Sequence, residues 1–338
     1  MSYISTRNSS QYGLGGESKK FTEILRKGLA PDGGLYVLKM YPRIDSEFLD
    51  PLRKKGCAEV AQAVLPLFVD DISRTDLHRI IAKTYTPEIF DVGITPLKWL
   101  EPDFALLQLS NGPTLAFEDV ALQFLGNLMK FVLEKNGEEI NILGSTSGDA
   151  GPYADNWACI AAQVVYSFYA YLQATKRSTE EISFAVPPGN FGNVLSVYVA
   201  KRMGLPIRKI IVATNENDAL NEFFKYGIYH VRKREDVKFT LSNFERFMFD
   251  VVDRDPQQIR LLWKQLEEQG QFATDNAKSG ELYGICSGSA TNSDVLITIR
   301  GVFRKWNIVI DPCTAVGMKV GWELRDSHSE PLIVIQTA

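Results

Sequence analysis

Histidine is scarce in this 338-residue chain. The only three, His78, His230 and His328, have no Cys, Asp or Glu neighbour at metal-ligand spacing, which leaves zinc catalysis and a histidine-based triad without support. HExxH, GxSxG and Walker patterns are absent too. The four cysteines, Cys57, Cys159, Cys286 and Cys313, are widely spaced and form no CxxC pair, so they read as reduced thiols rather than a disulfide framework. No apolar run approaches the roughly 18 residues needed to cross a bilayer, and Met1 to Gln11 is polar, without the apolar centre of a signal peptide. The expected compartment is therefore cytoplasmic. A formal net charge of −4 with dispersed basic residues gives no field that would gather nucleic acid or an anionic membrane. Internal repeats and low-complexity segments are also missing.

What remains is an ordinary globular composition, 45% hydrophobic and 23% charged. To about Ile94 the chain mixes loop punctuation such as Ala30-Pro31-Asp32-Gly33-Gly34 with amphipathic helical stretches at Cys57 to Leu67 and Arg74 to Lys83. That segment reads as an N-terminal domain, residues 1–94. From Thr95 short β-rich runs alternate with longer helical ones, the pattern of a mostly parallel sheet flanked by helices. Helices are expected over Thr114 to Leu133, Asp155 to Gln173, Val194 to Met203, Asn217 to Lys225, Phe244 to Val252, Pro256 to Glu268 and Val295 to Trp306. The second of these is apolar nearly all round and should lie buried between layers. Strands are expected over Ile140 to Leu143, Ile182 to Val186, Lys209 to Ala213, Ile308 to Ile310 and Leu332 to Ile335.

Two glycine-rich loops follow strands. Pro187-Pro188-Gly189-Asn190-Phe191-Gly192-Asn193 opens a helix and can aim backbone N–H groups at an anion, with a phosphate as the natural guest. A tight βα turn whose glycines only satisfy positive φ would look the same. Gly144-Ser145-Thr146-Ser147-Gly148-Asp149-Ala150-Gly151 is dense in hydroxyl donors and could hold a second anion, such as a substrate carboxylate or phosphate. A plain loop remains open there as well. Together the two carry more weight, because ligands of open α/β sheets bind at the carboxyl ends of strands.

In order along the chain, Tyr3-Ile4-Ser5-Thr6-Arg7, Gly28 to Tyr36, Asn111 to Phe117, Gly144 to Asp149, Asn156-Trp157-Ala158 and Pro188 to Gly192 resemble the threonine synthase family. Asn215 to Asp218, Ser242 to Arg246 and Asp311 to Ala315 extend the likeness. The resemblance implies a tryptophan-synthase-β-like, fold-type-II scaffold for pyridoxal phosphate (PLP), with residues 95–338 as the α/β domain and about 110–155 as the remnant of a small domain. It also implies the conversion of O-phosphohomoserine and water to threonine and phosphate, with PLP as electron sink. Gly189, Asn190, Phe191, Gly192 and Asn193 would hold the cofactor phosphate, and Thr337 would face the pyridine nitrogen. Ser145, Thr146, Ser147, Gly148, Asp149 and Asn156 would face the substrate.

Three departures set the chain apart. The family's Phe-Lys-Asp, which carries the Schiff-base lysine, is here Phe117-Glu118-Asp119, and a carboxylate forms no imine. Lys130 lies 12 residues further on, about 18 Å along a helix, and cannot substitute. The likeness also jumps from Gly151 to Asn156, where the family has further βα units, and the segment before Ser242 is shortened, while the family continues beyond Ala338. On a helical wheel Glu118 falls between the buried and solvated faces and would pass as an ordinary border glutamate. An impaired enzyme, a non-catalytic pseudoenzyme that binds phosphate-bearing small molecules or a partner, and a decayed gene product all remain open.

Overall fold

The computed structural model describes residues 1–8, 18–140, 155–231, 233–234, 237–238, 241–274, 279–326 and 330–338. Its centre is a six-stranded sheet built from β1 (Leu97–Glu101), β2 (Phe104–Gln108), β3 (Ile182–Val186), β4 (Ile207–Thr214), β5 (Ile285–Ser289) and β6 (Leu332–Gln336). The spatial order is β5-β4-β3-β6-β2-β1, and every pairing is parallel except the β1–β2 hairpin. The last strand in sequence thus lies in the middle of the sheet, hydrogen-bonded to β3 on one side and β2 on the other.

Period-two alternation decides which residues face which layer. In β6, Ile333 and Ile335 point into one core, while Leu332 and Val334 point into the other. β4 repeats this with Ile210 and Val212 against Ile211 and Ala213. Apolar side chains on both faces are what a parallel sheet covered by helices requires. The larger core is roofed by α1 (Asp119–Asn136), α2 (Trp157–Ala174) and α3 (Gly192–Met203). The smaller one lies under α4 (Asn292–Trp306) and α5 (Pro312–Leu324). As its composition demands, α2 is buried from Trp157 through Phe168, its polar residues included.

Residues before Ile94 share the larger core rather than closing one of their own. The antiparallel pair Tyr3–Ser5 and Tyr36–Leu38 lays the Tyr3 ring edge-on to Trp157, with centroids 6.0 Å apart. The fully buried Arg246 sits over that indole at 5.5 Å and donates to the Tyr36 carbonyl at 2.9 Å.

Several expected elements differ. Pro66 turns the end of the Cys57 helix into a short 3-10 turn, Leu65–Leu67, since its missing N–H cannot continue the α ladder. The helix expected from Thr114 starts five residues later, at Asp119, because Thr114 folds back to bond the Asp119 carboxylate and Leu115 takes φ +58°. Ile308 to Ile310 is no strand: Asn307 ends α4 in the left-handed region, Val309 stays exposed, and Ile310 is buried in the smaller core with Ile308 packed against it. The strand expected over Ile140 to Leu143 falls, past Ile140, outside the described residues. Strands β1, β2 and β5 were not singled out by the sequence.

Candidate functional site

The carboxyl ends of β3, β6 and β2 lie side by side, and the segments just beyond them build the site. After β2 the chain crosses to β6, where the Phe117 N–H donates to the Thr337 carbonyl at 3.2 Å. That crossing delivers Glu118 to the cap position of α1, where it is 8% exposed. The loop is locked from beneath. Asp119 Oδ2 accepts from the Thr114 backbone N–H at 2.7 Å and from its hydroxyl at 2.9 Å. A Cβ at Gly112 would stand 2.3 Å from the Asp119 Cβ, so only glycine fits there. The expected border glutamate is therefore buried, because the helix begins one residue after it and the wheel does not describe its surroundings.

After β3, Pro187 and Pro188 lead into the glycine turn. Gly189 takes φ +49° and Phe191 φ +70°, a costly angle for an aromatic, held by packing of its buried ring on Phe244 and Phe247. The Asn190 side chain folds under the turn to accept from the Gly192 N–H at 2.9 Å. The next N–H groups of α3, from Asn193 and Val194, have no carbonyl four residues back within the helix and face the same end.

One face of α2 meets this helix start. Gln163 and Tyr166, three residues apart and so on the same side, abut Gly192 and Asn193. The Tyr166 hydroxyl donates to Asn193 Oδ1 at 2.6 Å and lies 3.2 Å from Ser196 Oγ. Burial pushes the Tyr166 phenol above its usual range, and the nearby Glu118 carboxylate pushes the same way against the Ser196 contact. Glu118 thus lies within electrostatic reach of the tyrosine that bonds Asn193 of the turn. Gln163 is 5% exposed, and its Oε1, buried without a hydrogen-bond partner among the described residues, stands 3.1 Å from where a Gly192 Cβ would be. A side-chain amide can turn over, so either its oxygen or its NH2 can face the turn.

At the end of β6 the Thr337 hydroxyl donates to Asp311 Oδ1 at 3.3 Å, while the Thr314 hydroxyl takes the other carboxylate oxygen. Asp311 also caps α5, accepting from the Thr314 N–H at 3.0 Å. Any ligand accepting from Thr337 must draw that single proton away from Asp311. A cleft of about 210 Å³ opens beside the turn, between Gly189, Asn215, Asn217, His230 and Cys313.

Asn156, expected to face a substrate, is spent on local structure. Its oxygen caps α2 through the Ala158 N–H at 3.0 Å, and its NH2 donates to the Leu25 carbonyl at 2.8 Å. Ser145 to Asp149 lie outside the described residues. Among the described residues there is no cluster of His, Cys, Asp and Glu that could hold a metal ion and no helix long and apolar enough to cross a membrane. No lysine whose burial is described is buried, and Lys130 points outward, pairing with Glu134. Sequence reasoning missed Gln163, Tyr166 and the bonds that tie Thr337 to Asp311 and Thr314. A glutamine inside the run Ala161-Ala162-Gln163-Val164-Val165 was the signal for the first, since a polar side chain in a continuously apolar stretch of helix needs a reason.

Comparison with known proteins agrees with this geometry. The family model for the threonine synthase N terminus matches residues 2–85. A threonine synthase of Methylobacillus glycogenes is 36% identical, covering 100% of this chain and 89% of the relative. The chain belongs to the threonine synthase family. Threonine synthase of Corynebacterium glutamicum is 35% identical, again over 100% of the chain and 88% of the relative. The PLP-bound threonine synthase of Brucella melitensis superposes with a TM-score of 0.91 at 31% identity, covering 100% of this chain and 88% of that one. The fold is accordingly that of the fold-type-II PLP enzymes. Alignment with the Methylobacillus enzyme spans 432 positions against the 338 residues here, so this threonine synthase homologue lacks positions that its relative has inside the matched span.

Proposed function

We propose that this threonine synthase homologue binds a pyridoxal-type phosphate without a covalent link and releases little or no threonine from O-phosphohomoserine. One observation carries the reading. Glu118, at the position where the resemblance puts the cofactor's lysine, is buried within electrostatic reach of Tyr166, which bonds Asn193 of the turn, and no buried lysine stands among the residues with described burial.

The residues present fit one end of PLP and not the other. At the phosphate end, the glycine turn offers close backbone approach, the α3 start offers N–H groups and a favourable dipole, and the Gln163 amide is left with a hydrogen-bonding atom to satisfy. Gly189, Asn190, Phe191, Gly192 and Asn193 would hold that group, with Gln163 as a further donor. At the aldehyde end Glu118 supplies a carboxylate, which neither condenses with a carbonyl nor serves as the basic amine that moves protons in the family's reaction. Losing a positioned acid–base group costs about 10² to 10⁴ in rate.

The test is threonine release from O-phosphohomoserine by purified protein with added PLP, against a boiled control. The expected result is no release above the control, together with saturable binding of pyridoxine 5′-phosphate. Steady turnover would refute the reading. The non-catalytic alternative is favoured over a decayed product by the packed state of the turn and of α2, which an unselected sequence would have no reason to retain.

A further inference from the structure

We propose that the outer face of α4 is a self-docking surface, through which two copies of this chain pair as an antiparallel, two-fold dimer. Monomeric proteins rarely leave neighbouring large apolar side chains together in water. On α4, Leu296 is 57% exposed, Ile297 65% and Phe303 51%. With Arg300 and Arg304 they fall within about 60° of one line on a helical wheel, opposite Val295 and Val302, which enter the smaller core. The inner face completes that core, so the apolar residues of the outer face need another reason.

The order of residues along that face says what fits it. One flank carries Asp294, Ile297, Gly301 and Arg304, and the other carries Leu296 and Phe303. Turning a second α4 end for end about an axis near Ile299 sets Asp294 against Arg304, Ile297 against Gly301 and Leu296 against Phe303 of the other copy. Two-fold symmetry then repeats each pair. A parallel pairing would instead bring like charges together at both ends, because Asp294 is the acidic residue of the first turn and Arg304 a basic one of the last. Arg304 is exposed and has no ion-pair partner among the described residues. Gly301 is a second, independent sign. A glycine inside an exposed helix costs about 1 kcal/mol against alanine, and a Cβ there would meet nothing within 4 Å, so the chain's own packing does not require it. A closely approaching helix does, since the missing side chain leaves a hollow for Ile297 of the second copy. Arg300 falls nearest the axis and meets its own copy, a like-charge contact that keeps the association weak. An anionic bilayer is the other surface an apolar, basic stripe could meet. It is disfavoured by Asp294, by Glu216, which bonds Asn292 at the helix start, and by the net charge of −4.

An interface of one helix per copy belongs to the small class, below about 1,200 Å², so affinity in the micromolar range is expected. Sedimentation velocity of the whole chain between about 1 and 100 µM reads it, and the expected result is a reversible shift from one chain mass to two. Phe303→Ser removes an apolar contact twice per dimer and should weaken it at least about tenfold. Arg300→Ser removes the repulsion at the axis and should tighten it about three- to tenfold. Both side chains are exposed in the single copy, so circular dichroism of the variants should match that of the unaltered chain. The same Arg300→Ser change would loosen attachment to an anionic bilayer, and pelleting with phosphatidylserine vesicles separates the two readings. A chain that stays single at every concentration, a dimer indifferent to Phe303→Ser, a dimer loosened by Arg300→Ser, or vesicle binding by single chains each overturns the proposal. The unaltered chain decides the matter even if a variant does not fold.

Discussion

Replacing Gln163 by methionine should move stability and ligand affinity in opposite directions. Gln163 is 5% exposed within the stretch of α2 buried from Trp157 through Phe168, and its Oε1 has no hydrogen-bond partner among the described residues. A buried, unsatisfied polar atom costs about 1–3 kcal/mol. Methionine has the same unbranched length and brings a polarisable, apolar end, so little volume changes. The ligand-free Gln163→Met protein should therefore gain about 1–2 kcal/mol in urea unfolding, read as a higher midpoint at an unchanged slope. Binding of pyridoxine 5′-phosphate should weaken by about tenfold, the worth of one lost hydrogen bond. At saturating ligand the two effects largely cancel, and the unfolding midpoints of the two proteins should converge. A ligand-free variant that loses more than about 1 kcal/mol, with phosphate affinity unchanged, would show that Gln163 serves the core alone and would refute the reasoning.

Three further outcomes follow from named contacts. Gly112→Ala, whose new Cβ would meet the Asp119 Cβ at 2.3 Å, should destabilise by about 1–3 kcal/mol in the same urea assay. Burial holds the Cys57 and Cys159 thiols up at about 12 from an ordinary 9.0, while Cys313 is exposed. A thiol reagent at pH 8 should thus label Cys313 and spare Cys57 and Cys159 until the chain unfolds. On unfolding those two thiols return to the ordinary value, so above pH 9 the unfolded chain releases protons that the folded one keeps. Their contribution is fully present below pH 9 and is lost as pH rises toward 12, which urea midpoints at pH 8 and pH 10.5 will register. Glu118→Lys should gain a borohydride-fixable pyridoxyl adduct on incubation with PLP, yet threonine release should stay slight, because positions present in the relatives remain missing; full turnover would contradict that.

Much of the scaffold was legible in the sequence because its signals are local. β3 was read with the boundaries it has, since Ile182 to Val186 is bounded by a charged run and a Pro-Pro pair. α2 announced its burial by having no polar face. Failures came where long-range packing decides. Nothing in the residues around Thr114 says that its N–H will turn back onto Asp119, and that turn, rather than the apolar periodicity, sets where α1 begins and hence that Glu118 is buried. β5, Ile285-Cys286-Ser287-Gly288-Ser289, is too rich in small polar residues to read as a strand and exists because β4 offers it a parallel edge. Ile308 to Ile310 has strand-like composition yet pairs with no strand, and serves the smaller core through Ile308 and Ile310 instead. Of the candidate site, the glycine turn and Glu118 were legible, one from its residue types and the other only from family likeness. Gln163, Tyr166 and Asp311 were not, because their roles arise from what the fold brings opposite them.

The account turns on whether any side chain in this site can capture the cofactor's aldehyde. Incubation of the purified chain with PLP, reduction with borohydride and peptide mass spectrometry address that directly. The peptides covering Asn111 to Lys130 and Pro187 to Met203 should carry no pyridoxyl group, with any labelling confined to low occupancy on exposed lysines. A stoichiometric adduct on any residue of those two segments would contradict the account.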